Sequence, residues 1–346
     1  MRHGENHQFA LPIDIEPMEA KSATKLPQGG GWQFEPKWDG FRCLAFKEGG
    51  TVDLRAKSGK PLGRYFPEVV SLLQNLPIER FVIDGELVIE RDGRLSFETL
   101  QMRLHPAASR IKKLSTMTPA KFVVFDILAT ADGSSKKDEA LKRRRELLET
   151  LLGRYADPGK LVLSPFTRKH HKAEQWLSSA GGDGLDGVIC KRIDQPYADG
   201  ARAMVKVKRL RTADCVIGGF RYESRSHQVG SLLLGLYNKE GKLDHVGFTS
   251  AIYNRDRPQL TRRLEAIRQA PGFTGKKPGG PSRWNAERSS EWEPVRPELV
   301  VEVRFDHVTG CRFRHGTSFI RWRPDKKPRQ CDYEQIEQAA MVDLTI

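Results

Sequence analysis

From Phe81 the chain runs Phe-Val-Ile-Asp-Gly-Glu-Leu-Val-Ile-Glu. At a period of two, Phe81, Ile83, Leu87 and Ile89 share one face and Asp84 and Glu86 share the other, which predicts a strand with a buried face and two acids opposite it. The same logic predicts strands at Cys43–Phe46 and Thr51–Ala56, joined through Glu48-Gly49-Gly50, and at Lys121–Leu128, Leu185–Lys191 and Met204–Lys208. Helical spacing predicts helices at Pro67–Leu76 and Asp138–Leu152. The second carries Leu141, Leu148 and Leu151 on its apolar face and Lys142–Arg145 on a solvated one. Another helix is expected around Trp176, after the basic run Arg168–Lys172. Gly181–Gly184 has the composition of a loop, Arg91–Arg94 of a hairpin turn, and residues 1–30 of an irregular arm.

The pattern changes at Arg209–Ala213, where a hinge is expected. Short strands follow at Cys215–Phe220, Ser231–Tyr237, Leu243–Thr249, Leu299–Phe305 and Phe319–Arg323, with a helix at Pro258–Ala270 and a Gly/Pro/Lys loop at Pro271–Pro281. Five short strands with an interposed helix predict an OB-fold β-barrel, a platform that takes nucleic acid. The expected class is therefore α+β, with one domain over residues 1–211 and an OB-fold domain over 212–346.

Composition sharpens the choice of partner. A chain of 346 residues that is 38% hydrophobic can build two cores, and a net charge of +14 favours a polyanion, because each neutralised phosphate releases counterions. The five cysteines (Cys43, Cys190, Cys215, Cys311, Cys331) lack zinc-site spacing and are expected as free thiols in a reducing cytoplasm. No apolar run has membrane-spanning length and the N-terminus has no signal-peptide character, so a soluble protein without membrane association is expected.

The candidate chemistry centres on Phe34–Arg42, Phe-Glu-Pro-Lys-Trp-Asp-Gly-Phe-Arg. Pro36 favours extended backbone before it and Asp39-Gly40 is a turn signal, so Lys37 is expected on a short exposed bend between two strands. Nearby cations would lower its pKa and make it a nucleophile. Met204–Lys208 sets Lys206 and Lys208 on one face of a strand, a repulsive pair unless an anion lies beside them. Lys57-Ser58-Gly59-Lys60 forms a basic turn, and Arg321–Lys327 a basic segment at the end of the last strand.

The Lys-x-Asp-Gly stretch with Arg42 resembles the adenylation motif of the covalent nucleotidyltransferases. Five further stretches resemble that family's motifs in order: Lys57-Ser58-Gly59, Asp84-Gly85-Glu86, Phe125-Asp126 with Asp186-Gly187 and Lys191, Lys206-Val207-Lys208, and Arg323-Pro324-Asp325-Lys326. The whole is similar to compact bacterial ATP-dependent DNA ligases of the C type and to the ligase module of end-joining enzymes. The resemblance implies a nucleotidyltransferase (adenylation) domain of antiparallel sheets with helices, followed by the OB barrel. It implies sealing of nicked double-stranded DNA in repair, with ATP and Mg²⁺ or Mn²⁺, in the bacterial cytoplasm at the nucleoid, by a monomer that meets repair or end-joining proteins.

By that resemblance Lys37 becomes adenylated, Lys206 and Lys208 hold the α-phosphate, and Asp325 and Lys326 orient pyrophosphate. Glu35, Phe125 and Lys191 belong to the nucleotide site, with Phe125 stacking on adenine, and Arg42 contacts the ribose or a 5′-phosphate. Glu86 and Asp186 would bind metal or ribose. Asp39 acts near the 3′-hydroxyl or fixes the turn. Two positions depart from the family pattern: Lys57 stands where Arg is usual and Asp186 where Glu is usual. RNA ligases and guanylyltransferases share the lysine motif, and a non-catalytic OB-type binding protein would keep only the barrel surface.

Overall fold

The computed structural model describes residues 9–336 except 92, 181–184, 225 and 280–290. The chain divides into two compact units that part between Arg209 and Leu210.

The first unit contains strands β1 (Ala20–Ala23), β2 (Trp32–Trp38), β3 (Phe41–Glu48), β4 (Thr51–Ala56), β5 (Arg80–Arg91), β6 (Arg94–Leu95), β7 (Ala120–Ala129), β8 (Leu161–Leu163), β9 (Leu185–Arg192) and β10 (Met204–Val207). Its helices are α1 (Pro67–Gln74), α2 (Phe97–Gln101), α3 (Ala108–Met117), α4 (Leu141–Leu152) and α5 (His170–Ser179). The strands form two sheets, one in the order β4-β3-β5-β7-β8 with β6 on β5, the other in the order β1-β10-β9-β2. β5 has two buried faces. Phe81, Ile83, Leu87 and Ile89 pack with Val69 and Leu73 of α1 and Leu148 and Leu152 of α4. On the reverse, Val82 packs with Tyr197 and Met204, and Val88 with Trp38 and Leu185. Asp84 and Glu86 therefore face the seam between the sheets, where apolar packing excludes water and charges need partners.

Three expectations are corrected here. Asp39-Gly40 does not close a hairpin: β2 and β3 belong to different sheets, so the turn carries the chain from one layer to the other, and Lys37 lies within β2. Gly40 is needed because an added Cβ would meet Leu87 O at 2.2 Å and Glu86 Cγ at 2.8 Å. The N-terminal arm is not wholly irregular, since β1 pairs in parallel with β10 and Leu11 and Met18 enter the core. The basic run of α4 is only half solvated: Arg144 is 0% and Arg145 7% exposed. Arg144 is buried because it meets Asp126, with its Nε and Nη2 donating to the carboxylate at 2.8 and 3.0 Å. The expected loop Gly181–Gly184 lies outside the described residues, as do Asp92 of the predicted turn and the end of the 271–281 loop.

The second unit is built from β11 (Arg211–Tyr222), β12 (Val229–Tyr237), β13 (Leu243–Thr249), β14 (Glu293–Pro294), β15 (Val300–Phe305), β16 (Val308–Thr309), β17 (Arg312–Phe313) and β18 (Ser318–Trp322), with α6 (Arg257–Glu265) between β13 and β14. The sheet order β13-β12-β11-β15-β18 is closed by a parallel bridge between Thr249 and Thr317, where Thr249 Oγ1 donates to Thr317 O at 2.9 Å. Five strands closed in this way, with the helix following the third, make the OB-fold barrel. Leu260 and Leu264 of α6 pack into the core beside Leu232, Leu234 and Val303. Arg211–Ala213, expected within the hinge, already belong to β11. Among the described residues no helix is long and apolar enough to cross a membrane, and all five cysteines are free.

Candidate active site

A small cleft of about 90 Å³ opens in the first unit, lined by Glu35, Lys37, Arg42, Glu86, Phe125 and Lys191 together with Pro36, Trp38, Ile189 and Met204. Strand register explains why these side chains converge. β2 runs antiparallel to β9 with Glu35 opposite Ile189 and Lys37 opposite Gly187, but Trp38 pairs with Leu185. Asp186 is thus the extra residue of a β-bulge, and a bulge re-aims a side chain that regular pleating would hold in line. Its carboxylate accepts from Lys37 Nζ at 2.6 Å and lies 3.1 Å from Lys208 Nζ. Burial alone would raise the Asp186 carboxyl, but Lys37 and Lys208 outweigh it and hold it below the usual range.

Lys208 shares Asp186 with Lys37, as a cation expected nearby, but the direct partner of Lys37 is the acid. An ion-paired ammonium has no lone pair to attack with, so this contact must open, and the proton leave, before Lys37 can act. Lys206, in register with Ile189 of β9, is depressed by burial and by Lys37, Lys208 and Lys57. Burial pushes Glu86 up to about 7, with Arg42 and Lys37 opposing the rise and Asp84 and Asp39 adding to it.

The far wall is held by paired charges. Asp84 and Asp126 face each other across β5 and β7, a repulsive arrangement unless each has its own cation. Arg42 donates to Asp84 from Nε at 2.6 Å and from Nη2 at 2.5 Å, while Arg144 serves Asp126. Tyr197 completes the group: its hydroxyl donates to Asp84 Oδ2 at 2.6 Å and accepts from Met18 N at 2.9 Å. The Arg42 guanidinium lies 4.5 Å and Lys191 Nζ 4.6 Å from the centroid of the Phe125 ring, within cation–π range. Lys191 also pairs with Glu35 at 2.7 Å, and Glu35 accepts from Gln33 at 2.8 Å.

Lys57 lies outside this lining, exposed and paired with Glu19 at 2.8 Å. In the second unit Lys326 is held by Asp214 at 3.1 Å, and Asp325 is engaged by Arg323 at 2.8 Å. Sequence reasoning left out Tyr197, Asp214 and the pairing role of Arg323. Tyr197 and Asp214 carry no local signal, since their partners lie 113 and 109 residues away.

A cleft lined by the candidate nucleophile Lys37, one further lysine, Lys191, and the Phe125 ring, with Lys208 reaching the same Asp186 that holds Lys37, in a chain that continues into an OB barrel, is the arrangement of a nucleotidyltransferase that works on nucleic acid. The chain belongs to the ATP-dependent DNA ligase family. The family model "ATP dependent DNA ligase domain" matches residues 17–208, and "ATP dependent DNA ligase C terminal region" matches residues 225–326. DNA ligase C1 of Mycolicibacterium smegmatis is 44% identical, with 96% of this chain and 97% of that protein covered. DNA ligase C of Mycobacterium tuberculosis is 41% identical over 97% and 98%. Among solved structures, a mycobacterial DNA ligase D complexed with ATP and MES is 30% identical with a TM-score of 0.50, covering 92% of this chain and 98% of that one. A Lig E DNA ligase, 17% identical with a TM-score of 0.54 over 89% and 100%, shares the fold.

Proposed function

We infer that this protein is an ATP-dependent DNA ligase that seals nicks in duplex DNA through a lysyl-AMP intermediate on Lys37. The observation that carries the reading is Lys37 itself, held at 2.6 Å by a bulged Asp186 in a cleft whose wall is the Phe125 ring. Lys37 attacks the α-phosphorus of ATP, the N–P bond forms as the bond to pyrophosphate breaks, and the lysine proton leaves. AMP then passes to a 5′-phosphate with release of Lys37, and a 3′-hydroxyl displaces AMP to form the phosphodiester. Each step is in-line phosphoryl transfer, in which positioning and charge neutralisation supply the acceleration.

Phe125 would stack on the adenine, Lys191 and Glu35 would hold the base edge, and Lys206 and Lys208 would neutralise the α-phosphate. Arg42, locked by Asp84, would address the ribose or the 5′-phosphate. Asp325 and Lys326, from the barrel unit, would orient pyrophosphate. Among the described residues no three metal-ligating side chains converge, yet the two hard carboxylates of Asp186 and Glu86 both interact with Lys37. That donor set suits Mg²⁺ or Mn²⁺ completed by phosphate oxygens and water. Such an ion supplies Lewis-acid stabilisation of the transferring phosphate. Asp186 and Glu86 would be the side chains that hold it. The strongly basic chain and its similarity to a multifunctional non-homologous end joining DNA repair protein LigD of Mycobacterium tuberculosis, 32% identical over 92% of this chain and 39% of that protein, support a DNA-repair role, alone or with end-joining partners.

The deciding experiment uses ATP labelled at its α-phosphate with wild type and Lys37→Ala on a denaturing gel, chased with nicked DNA or nicked RNA. Label on the wild type only, discharged by nicked DNA with sealing, is the expected result. Discharge by RNA alone would move the protein to the RNA-joining branch, and absence of label from folded protein would end the catalytic reading.

A further inference from the structure

On the outside of the barrel three strands bring acids and cations into one row. Asp214 of β11 lies opposite Glu302 of β15, which lies opposite Arg321 of β18. Two acids directly across a ladder repel unless cations intervene. Arg321 meets Glu302 at 2.7 Å. Asp214 takes the other two cations: Arg323 Nη1 donates to its two oxygens at 2.8 and 3.0 Å, and Lys326 Nζ lies 3.1 Å from Oδ2.

Asp214 is 7% exposed, so its charge was taken out of water at a cost. Its backbone is also clamped, with Asp214 N donating to Gln335 Oε1 at 2.9 Å and Gln335 Nε2 donating to Asp214 O at 3.1 Å. A partly buried ion pair of this kind adds little net stability over an apolar packing, so its value lies in fixing where the cations sit. Lys326 spends one of its three N–H donors on Asp214 and keeps two for a ligand.

We propose that Asp214 is a positioning residue for the first chemical step: it holds Lys326 and Arg323 as one pre-set cationic pair for the leaving pyrophosphate. This rests on the reading of Lys326 given above. Once AMP has left ATP no pyrophosphate remains, so the contact bears on lysine adenylation and not on the sealing of DNA that is already adenylated.

The test compares wild type, Asp214→Asn, Asp214→Glu and Lys326→Ala in two assays: single-turnover labelling of the protein at saturating ATP, and sealing of a nick carrying a pre-formed 5′-adenylate. Asp214→Asn keeps the size but sets an N–H against the two cations. Its labelling rate should fall about 10²-fold, the usual cost of a displacement near 1 Å, with sealing within twofold of wild type. Asp214→Glu, which restores the carboxylate, should recover most of the labelling. Normal sealing also certifies the fold. Equal losses in both assays would make Asp214 a merely structural residue. Wild-type labelling by Asp214→Asn beside a slow Lys326→Ala would overturn the positioning role alone, whereas a wild-type Lys326→Ala would remove the reading beneath it as well.

Discussion

Gly187→Ala should cripple adenylation while leaving a folded protein. Gly187 has φ +150°, and a Cβ built there would lie 2.2 Å from Val207 O and 3.0 Å from Lys208 Cα, both main-chain atoms that no rotamer can move aside. Since carbon and a carbonyl oxygen rest at about 3.3 Å or more, β10 must retreat by about 1 Å. Lys206 and Lys208 flank Val207 and travel with it. The Lys208–Asp186 contact, now 3.1 Å, would open to about 4 Å and cease to be a direct ion pair. A displacement of that size costs about 10²-fold in rate, and the overpacking costs about 1–3 kcal/mol in stability. The assay is single-turnover transfer of α-phosphate label at saturating ATP, with thermal melting alongside. Gly50→Ala is the control, because a Cβ at Gly50 meets nothing within 4 Å. Wild-type labelling by folded Gly187→Ala would refute the claim that strand spacing at this point sets the phosphate-binding lysines.

Asp186→Asn should both slow labelling and shift the Mg²⁺ titration midpoint upward; an unchanged midpoint removes Asp186 from the metal site. Tyr197→Phe leaves the Met18 N–H without its partner and takes one of two donors from Asp84 Oδ2, which keeps Arg42 Nη2, at a cost of about 1–3 kcal/mol. It should also weaken ATP use by loosening Arg42, and a melting temperature equal to wild type would show that the buried hydroxyl holds nothing. Glu86 gives a pH signature in the nucleotide-free protein. Its carboxyl is raised from 4.5 to about 7, so the native state keeps a proton that the unfolded chain releases. Its contribution to stability is full below 4.5 and is lost as pH rises through about 7. Glu86→Gln, neutral throughout, should flatten the melting profile over that window, and an identical slope in wild type and variant would contradict the assignment.

Much of this site is legible in the sequence because its parts are local patterns. The period-two alternation of Phe81–Glu90 already separates the acids from the core, and the barrel strands announce themselves as short apolar runs between turns. What escaped depends on meetings between distant segments. Asp39-Gly40 has hairpin chemistry, but only tertiary contacts decide whether β2 and β3 pair or part into two sheets. Arg144 has the spacing of a solvated residue until Asp126, on another strand, makes burial affordable. The Asp186 bulge is a register event between β2 and β9, and single-strand periodicity does not contain it. Asp214 looks like an ordinary polar interruption of a strand until Arg323 and Lys326 return to it across the barrel.

The pairing of Lys37 with Asp186 and of Lys191 with Glu35 means that the nucleotide cleft carries its own counter-ions, covalently attached, where an exposed basic surface borrows them from solution. An incoming triphosphate therefore displaces carboxylates more than dissolved anions, and carboxylates cannot diffuse away. Salt dependence should accordingly divide the two ligands of this protein. Affinity for ATP should change little as potassium chloride is raised, while affinity of this chain of net charge +14 for DNA should fall steeply on a log–log plot.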